Sequence, residues 1–176
     1  MDEKAEIRAA EPADYPAIRT LCNGFLEWCR LRYGEKAWIV DKYYTPEKWA
    51  ALLESLPIVH AAPDGEILVA RLHGSVVGCV MMQRIDENTC EMKRMFISPD
   101  GRGLGVGRQL AEELMRVGAS RGYSTMRLDT GRNHDEALRL YRDLGFEEIE
   151  PYYEPPADLR NHLIFMELDL CTEHPR

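Results

Sequence analysis

The chain has 176 residues and sets 22 Lys and Arg against 30 Asp and Glu, for a formal charge of −8; its length is enough for one domain (residues 1–176) with a real core. The acidity argues against a general nucleic-acid binder, and no apolar run approaches the ~18 residues of a membrane span. Met1-Asp2-Glu3-Lys4 lacks the basic-then-apolar pattern of a leader, and Cys22, Cys29, Cys79, Cys90 and Cys171 contain no C-x-x-C pair. Both features fit reduced thiols in a cytoplasm and no zinc site.

In chain order, Ala5 to Ala9 reads as a strand and Pro12-Ala13-Asp14 as a turn into a helix carrying Ile18, Leu21, Phe25, Trp28 and Cys29 at helical spacing. Thr45-Pro46-Glu47 opens another helix, with Thr45 as its cap, and Pro57 is expected to stop it. Residues 66–72 and 76–83 flank His73-Gly74-Ser75 as a hairpin, and a further turn leads into a strand over 90–97. A glycine-rich segment then opens a helix with Val106, Leu110, Leu114 and Val117 on one stripe, ending at Gly122. A strand over 124–129, a helix over 135–144 and strands over 146–149 and 163–168 complete the pattern. Strands grouped first, then alternating with helices, predict an α+β fold with a largely antiparallel sheet and a central strand–helix–strand unit.

The glycine-rich segment, Ser98-Pro99-Asp100-Gly101-Arg102-Gly103-Leu104-Gly105-Val106-Gly107-Arg108, carries the chemistry. Glycines let a backbone approach a ligand closely, and the first turn of a helix offers unpaired N–H groups at the positive end of its dipole. Together they predict a phosphate or pyrophosphate site. A P-loop needs Lys then Ser or Thr where Arg108-Gln109 stands, and G-x-G-x-x-G fails in both registers.

The spacing that fits is Arg102-x-x-Gly105-x-Gly107, and a second block, Ala137-Leu138-Arg139-Leu140-Tyr141-Arg142-Asp143-Leu144-Gly145-Phe146, follows it. With these two blocks the sequence resembles the GCN5-related N-acetyltransferase (GNAT) family, most closely from about Leu68 to Leu168. The resemblance implies a mixed, splayed, mostly antiparallel sheet flanked by helices, with acceptor-side helices over 1–60 and a cofactor-binding and catalytic core over 66–170. It implies acetyl-CoA as co-substrate, no metal, and direct transfer to an amine. A small-molecule amine is the expected acceptor. A protein N-terminus or lysine is the competing acceptor, and an acyl-CoA-binding sensor or interaction module is the competing non-enzyme. Dimers are frequent in the family, so a homodimer stays open.

An alkyl amine must lose a proton to attack, at roughly 4–5 kcal/mol near neutral pH. By resemblance Glu91, on the strand before the loop, is the candidate base, against a plain strand carboxylate salt-bridged to Lys93 or Arg94. Tyr141 is the candidate acid: a phenol with a pKa near 10 stays protonated and can donate to the leaving thiolate. Backbone groups of Met95, Phe96 and Ile97 are expected to pair with the pantetheine arm as an added strand, one of their amides polarising the thioester oxygen. Amides from Arg102 through Gly103, Leu104, Gly105, Val106 and Gly107, with Arg108, are expected to hold the pyrophosphate. The family commonly places Asn ahead of the second helix, where this chain has His134. Asn133 is expected to cap the helix or to take over the pantetheine contact, and His134 to be exposed. Tyr152 and Tyr153 are the acceptor-side aromatics singled out for function.

Overall fold

The computed structural model describes residues 4–171. Met1, Asp2 and Glu3, read above for a leader pattern, lie outside the described residues, as do residues 172–176. Strands β1 (Glu6–Ala9), β2 (Glu66–Leu72), β3 (Ser75–Arg84), β4 (Thr89–Ile97), β5 (Thr125–Gly131), β6 (Glu147–Ile149) and β7 (Leu163–Asp169) form one sheet in the order β1-β2-β3-β4-β5-β7-β6. Helices α1 (Tyr15–Tyr33), α2 (Trp38–Tyr43), α3 (Pro46–Val59), α4 (Val106–Ser120) and α5 (Asp135–Asp143) complete the chain order. Every neighbouring pair is antiparallel except β4 and β5, which run parallel. The mixed, mostly antiparallel α+β sheet is therefore as expected.

Both faces of the sheet are covered, which explains why β2 is apolar along nearly its whole length rather than alternating. Leu68, Ala70, Val80, Met82 and Met92 pack with Leu110 and Leu114 of α4 on one face. Ile67, Val69, Cys79 and Met81 pack with Ile18, Leu21, Cys22 and Leu26 of α1 and with Trp49, Leu53 and Leu56 of α3 on the other. Adjacent residues of one strand thus feed two cores, and a one-residue slip would exchange them.

Thr45 caps α3 as expected, its hydroxyl accepting from the Lys48 amide. Pro57, expected to stop that helix, instead lies inside it, and the helix runs to Val59. A proline this close to the C-terminus forfeits a single backbone bond, and its fixed φ is itself helical. The bond from the His60 amide to the Leu56 carbonyl still forms past it.

Candidate active site

The site begins where the sheet comes apart. β4 and β5 pair only over Thr89–Glu91 against Thr125–Arg127, so from Met92 onward the edge of β4 that faced β5 has no strand partner. On its other edge β4 carries a bulge: Cys79 pairs with Phe96 and Met81 with Lys93, leaving Arg94 and Met95 opposite the single Val80. Arg94 takes φ +50, an unusual value for a side chain of its size. A regular strand sends successive side chains to opposite faces. The bulge interrupts that alternation at Arg94, and every residue from Met92 to Ile97, Lys93 and Arg94 included, lines one groove.

That groove, about 760 Å³, runs from the glycine loop along the splayed strands to α1 and α2. Met95, Phe96, Ile97, Arg102, Gly103, Gly105, Val106, Gly107, Arg108 and Tyr141 line it; Leu104, Glu91 and Asn133 do not. Leu104 points outward and is 54% exposed. In the loop, Gly103 (φ +77) and Gly105 (φ +71) adopt conformations open to glycine, with Gly105 at the N-cap of α4. Gly101 is required sterically instead, since a Cβ there would lie 2.9 Å from Ile97 Cγ2. The first turn of the fifteen-residue α4 thus points unpaired amides at the groove's end. Arg102 donates to the Ile97 carbonyl at 3.3 Å, and Arg108 lies near Asp143 (3.4 Å) and Glu112 (3.7 Å).

Tyr141 is buried against Phe146, and burial, with a smaller contribution from the Asp129 charge, pushes its phenol well above the ordinary value of 10. Glu91 is the last β4 residue paired to β5, and its buried carboxylate is held by three donors. Tyr152 donates to it at 2.6 Å, Gln83 at 2.7 Å and Lys93 at 3.2 Å. Of the two basic neighbours expected beside Glu91, Lys93 makes the contact; Arg94 turns to His60. Lys93 also reaches Asp129 at 3.3 Å. Burial alone would depress the Lys93 ammonium, but the two carboxylates hold it above its ordinary range. Asp129, on β5, lines the groove and was not foreseen.

His134 is a correction. It is buried rather than exposed, occupies the N-cap position of α5 and lines the groove. Its ring lies 4.6 Å from that of Trp28, and Gly131 makes room for it, since a Cβ there would meet the imidazole at 2.8 Å. Nδ1 is 3.4 Å from the Thr130 hydroxyl, while Nε2 is buried without a partner. Burial, reinforced by Arg32, lowers its pKa to about 4, so the ring is neutral. Asn133 does not cap the helix with its side chain; Nδ2 donates to the Arg32 carbonyl at 2.9 Å, tying the end of α1 to the start of α5.

The end of the groove away from the glycine loop is bordered by a contact between α2 and the segment before β7. Lys42 and Tyr43 of α2 both bond Asp158 in the segment between β6 and β7, and Tyr43, Leu159 and Tyr153 line the groove. Tyr152 does not line it; its ring packs on Tyr153 and Phe165 while its hydroxyl serves Glu91.

The family model for the GNAT acetyltransferases matches residues 20–146, a span that holds the β4 bulge, the parting of β4 from β5 and the glycine loop opening α4. The chain belongs to the GNAT acetyltransferase family. An uncharacterized N-acetyltransferase of Schizosaccharomyces pombe is 38% identical over 113 residues, 63% of this chain and 68% of that protein. The fold is shared with an acetyltransferase of Streptococcus agalactiae (TM-score 0.72, 21% identity, 95% of this chain and 99% of that one). It is also shared with a putative acetyltransferase of Salmonella typhimurium solved with acetyl-CoA (TM-score 0.67, 22% identity, 99% of this chain and 98% of that one). This GNAT chain is thus an N-acetyltransferase by family.

Proposed function

We propose that this GNAT domain moves the acetyl group of acetyl-CoA directly to a primary amine of a small molecule. The observation that carries the choice of acceptor is the Asp158 bridge to Lys42 and Tyr43, which ties α2 to the segment before β7 and which we read as a strap across the acceptor end. A polypeptide lysine or N-terminus needs an open trough for its flanking residues, whereas a small amine fits beneath the bridge.

The cofactor fits what the groove offers. Amides of the Gly103–Gly107 turn and the start of α4 would hold the pyrophosphate, and the free edge of β4 at Met95, Phe96 and Ile97 would pair with the pantetheine amides. The unpartnered Nε2 of His134 would serve the same arm, the role the resemblance expects of Asn. The Salmonella relative's acetyl-CoA complex supports this reading.

For the chemistry, an amide of the bulged segment near Met95 or Phe96 stabilises the carbonyl oxygen as charge builds on it. Tyr141 donates a hydrogen bond to the departing sulfur. A phenol above the thiol in pKa does not surrender its proton outright, so the proton that ends on sulfur is the one shed by the amine. Glu91, sequestered by three donors, acts as the far carboxylate of a Glu91–Lys93–Asp129 chain, and Asp129 is its end facing the groove. The competing sensor reading predicts binding without turnover.

The test is calorimetry with acetyl-CoA, with ATP and NAD as controls, followed by thiol release with panels of free amines and of peptides. Micromolar acetyl-CoA binding and turnover of free amines above peptides is the expected result. A preference for peptides would move the acceptor to protein, and binding without any turnover would leave the sensor.

A further inference from the structure

Arg94 stands out among the charged side chains at the acceptor end of the groove. Lys93 is shared by Glu91 and Asp129, and the two make a satisfied cluster with net charge to spare on the acidic side. Arg94, half-buried beside it, has no carboxylate partner among the described residues. Its Nη1 lies 3.1 Å from His60 Nε2, and His60 Nδ1 lies 2.9 Å from the Met82 carbonyl. The carbonyl can only accept, so Nδ1 carries the hydrogen and Nε2 accepts from Arg94. The partner is therefore a neutral ring, and burial keeps it neutral by lowering its pKa to about 4. A guanidinium keeps its charge and offers five donors in a fork suited to a carboxylate. Holding one half-buried against a neutral imidazole is costly unless something else supplies the anion.

The bulge shows why the guanidinium is there. Without the extra residue and the positive φ at Arg94, its side chain would leave on the opposite face from Lys93. Instead both line the groove next to the segment that faces the thioester, and Tyr44, at the end of α2, feels both charges. Across the groove, Asp129 presents a carboxylate from β5. A cation on β4 and an anion on β5, the latter shared with Lys93, therefore line one groove where the strands part.

We propose that the acceptor is an amino acid or a similar small zwitterion, its ammonium met by Asp129 and its carboxylate by Arg94. This rests on the small-molecule acetyltransferase reading above and adds the chemical class of the acceptor. Asp129 takes one proton from the ammonium and passes it to solvent, and the neutral nitrogen then attacks the carbonyl carbon. The new C–N bond replaces the C–S bond, and the second proton that the nitrogen loses goes to the sulfur.

The competing role for Arg94 is structural: pinning the bulge through His60. The two separate by substrate. With acetyl-CoA saturating, kcat/KM is measured for free amino acids spanning aliphatic, polar and acidic side chains, and for the matching decarboxylated amines and carboxamides. Wild-type protein is expected to favour the best amino acid over its decarboxylated partner about a hundredfold, the scale of a desolvated charge pair. Arg94→Gln, which keeps a donor for His60, is expected to erase that preference by lowering kcat/KM for the amino acid far more than for the decarboxylated amine; Arg94→Lys should keep part of it. Melting curves and acetyl-CoA titration check that each variant is folded, and the wild-type ratio decides even if Arg94→Gln is not. Equal turnover of amino acids and decarboxylated amines, or an equal fall for both in Arg94→Gln, overturns the proposal and leaves the acetyltransferase reading standing. Acetyl-CoA binding with no acceptor of any class overturns both.

Discussion

On the proposed reading, which gives one end of the groove to the cofactor and the other to the acceptor, the two ends are built in different ways. The cofactor end uses backbone: a turn with two glycines at positive φ, the first amides of α4 and the unpaired edge of β4. The acceptor end uses side chains gathered from four distant places: α1 and α2, the β4 bulge, β5, and the segment before β7. Backbone recognition needs few particular residues in one short stretch, so it is carried by a local motif. Side-chain recognition depends on tertiary placement, and the same fold can change acceptor without changing cofactor. The contrast is also mechanical, because the acceptor end is held together largely by partly exposed contacts such as Lys42 to Asp158 and Arg32 to Glu136.

The sharpest way to break this division is at Tyr141, where the two ends meet. Tyr141→Phe keeps the ring packed on Phe146 and removes only the hydroxyl. A fall in kcat of about a hundredfold to a thousandfold is expected, within the range for losing one hydrogen-bond donor to developing charge, with acetyl-CoA affinity unchanged by calorimetry. Parallel losses of affinity and rate would make Tyr141 a packing residue. Next in size is Gly105. Gly105→Glu combines a strained φ of +71 with a carboxylate at the helix N-terminus where phosphate is expected. Acetyl-CoA affinity should fall about a hundredfold or more, some 3 kcal/mol. Gly105→Ala carries the backbone strain alone and should cost about tenfold or less. Normal acetyl-CoA binding by a folded Gly105→Glu protein would remove the loop from the cofactor site.

How far the sequence reaches follows the same division. The order of strands and longer helices and the glycine loop follow from local spacing, the short α2 was not read, and the place of Tyr141 came from the resemblance of its block to the family. Pro57 misled because a proline in a last helical turn costs little. His134 misled because a polar residue at a helix start ordinarily faces water; the nearby signal was Gly131, whose missing Cβ leaves space for the ring. Asp129 lay in the alternation of β5 with nothing local to mark it, and its place in the groove comes from the parting of β4 and β5. Arg94 was visible only as a neighbour of Glu91, because a bulge that turns a side chain to the other face has no signature in the order of residues.

The two buried imidazoles give a third test, on stability rather than rate. His60 and His134 both have pKa values lowered by burial from 6.5 to about 4. As pH falls from about 6.5 toward 4, the unfolded chain takes up protons that the folded one refuses, so stability drops over that window. Each ring contributes up to roughly 3 kcal/mol of that loss. Chemical denaturation across the window should show the slope, and His60→Gln should remove about half of it. That variant can still donate to Met82 and accept from Arg94, so its stability at pH 7 should change little. A slope indifferent to both histidines would mean that they titrate normally in the folded state.

The smallest effect concerns the bridge over the acceptor end. Asp158→Asn weakens one bond to Lys42 and one to Tyr43. The contact is partly exposed, and such solvent-screened pairs contribute little to stability. Global stability and acetyl-CoA affinity should therefore barely move, while KM for a small amine rises about twofold to fivefold as the strap loosens. The informative arm is the peptide panel. If the bridge is what excludes polypeptide acceptors, opening it should raise peptide turnover even as amine turnover falls. A lid that is only a surface ion pair would leave both unchanged, and the exclusion would then lie deeper, with the aromatic walls of α1 and α2.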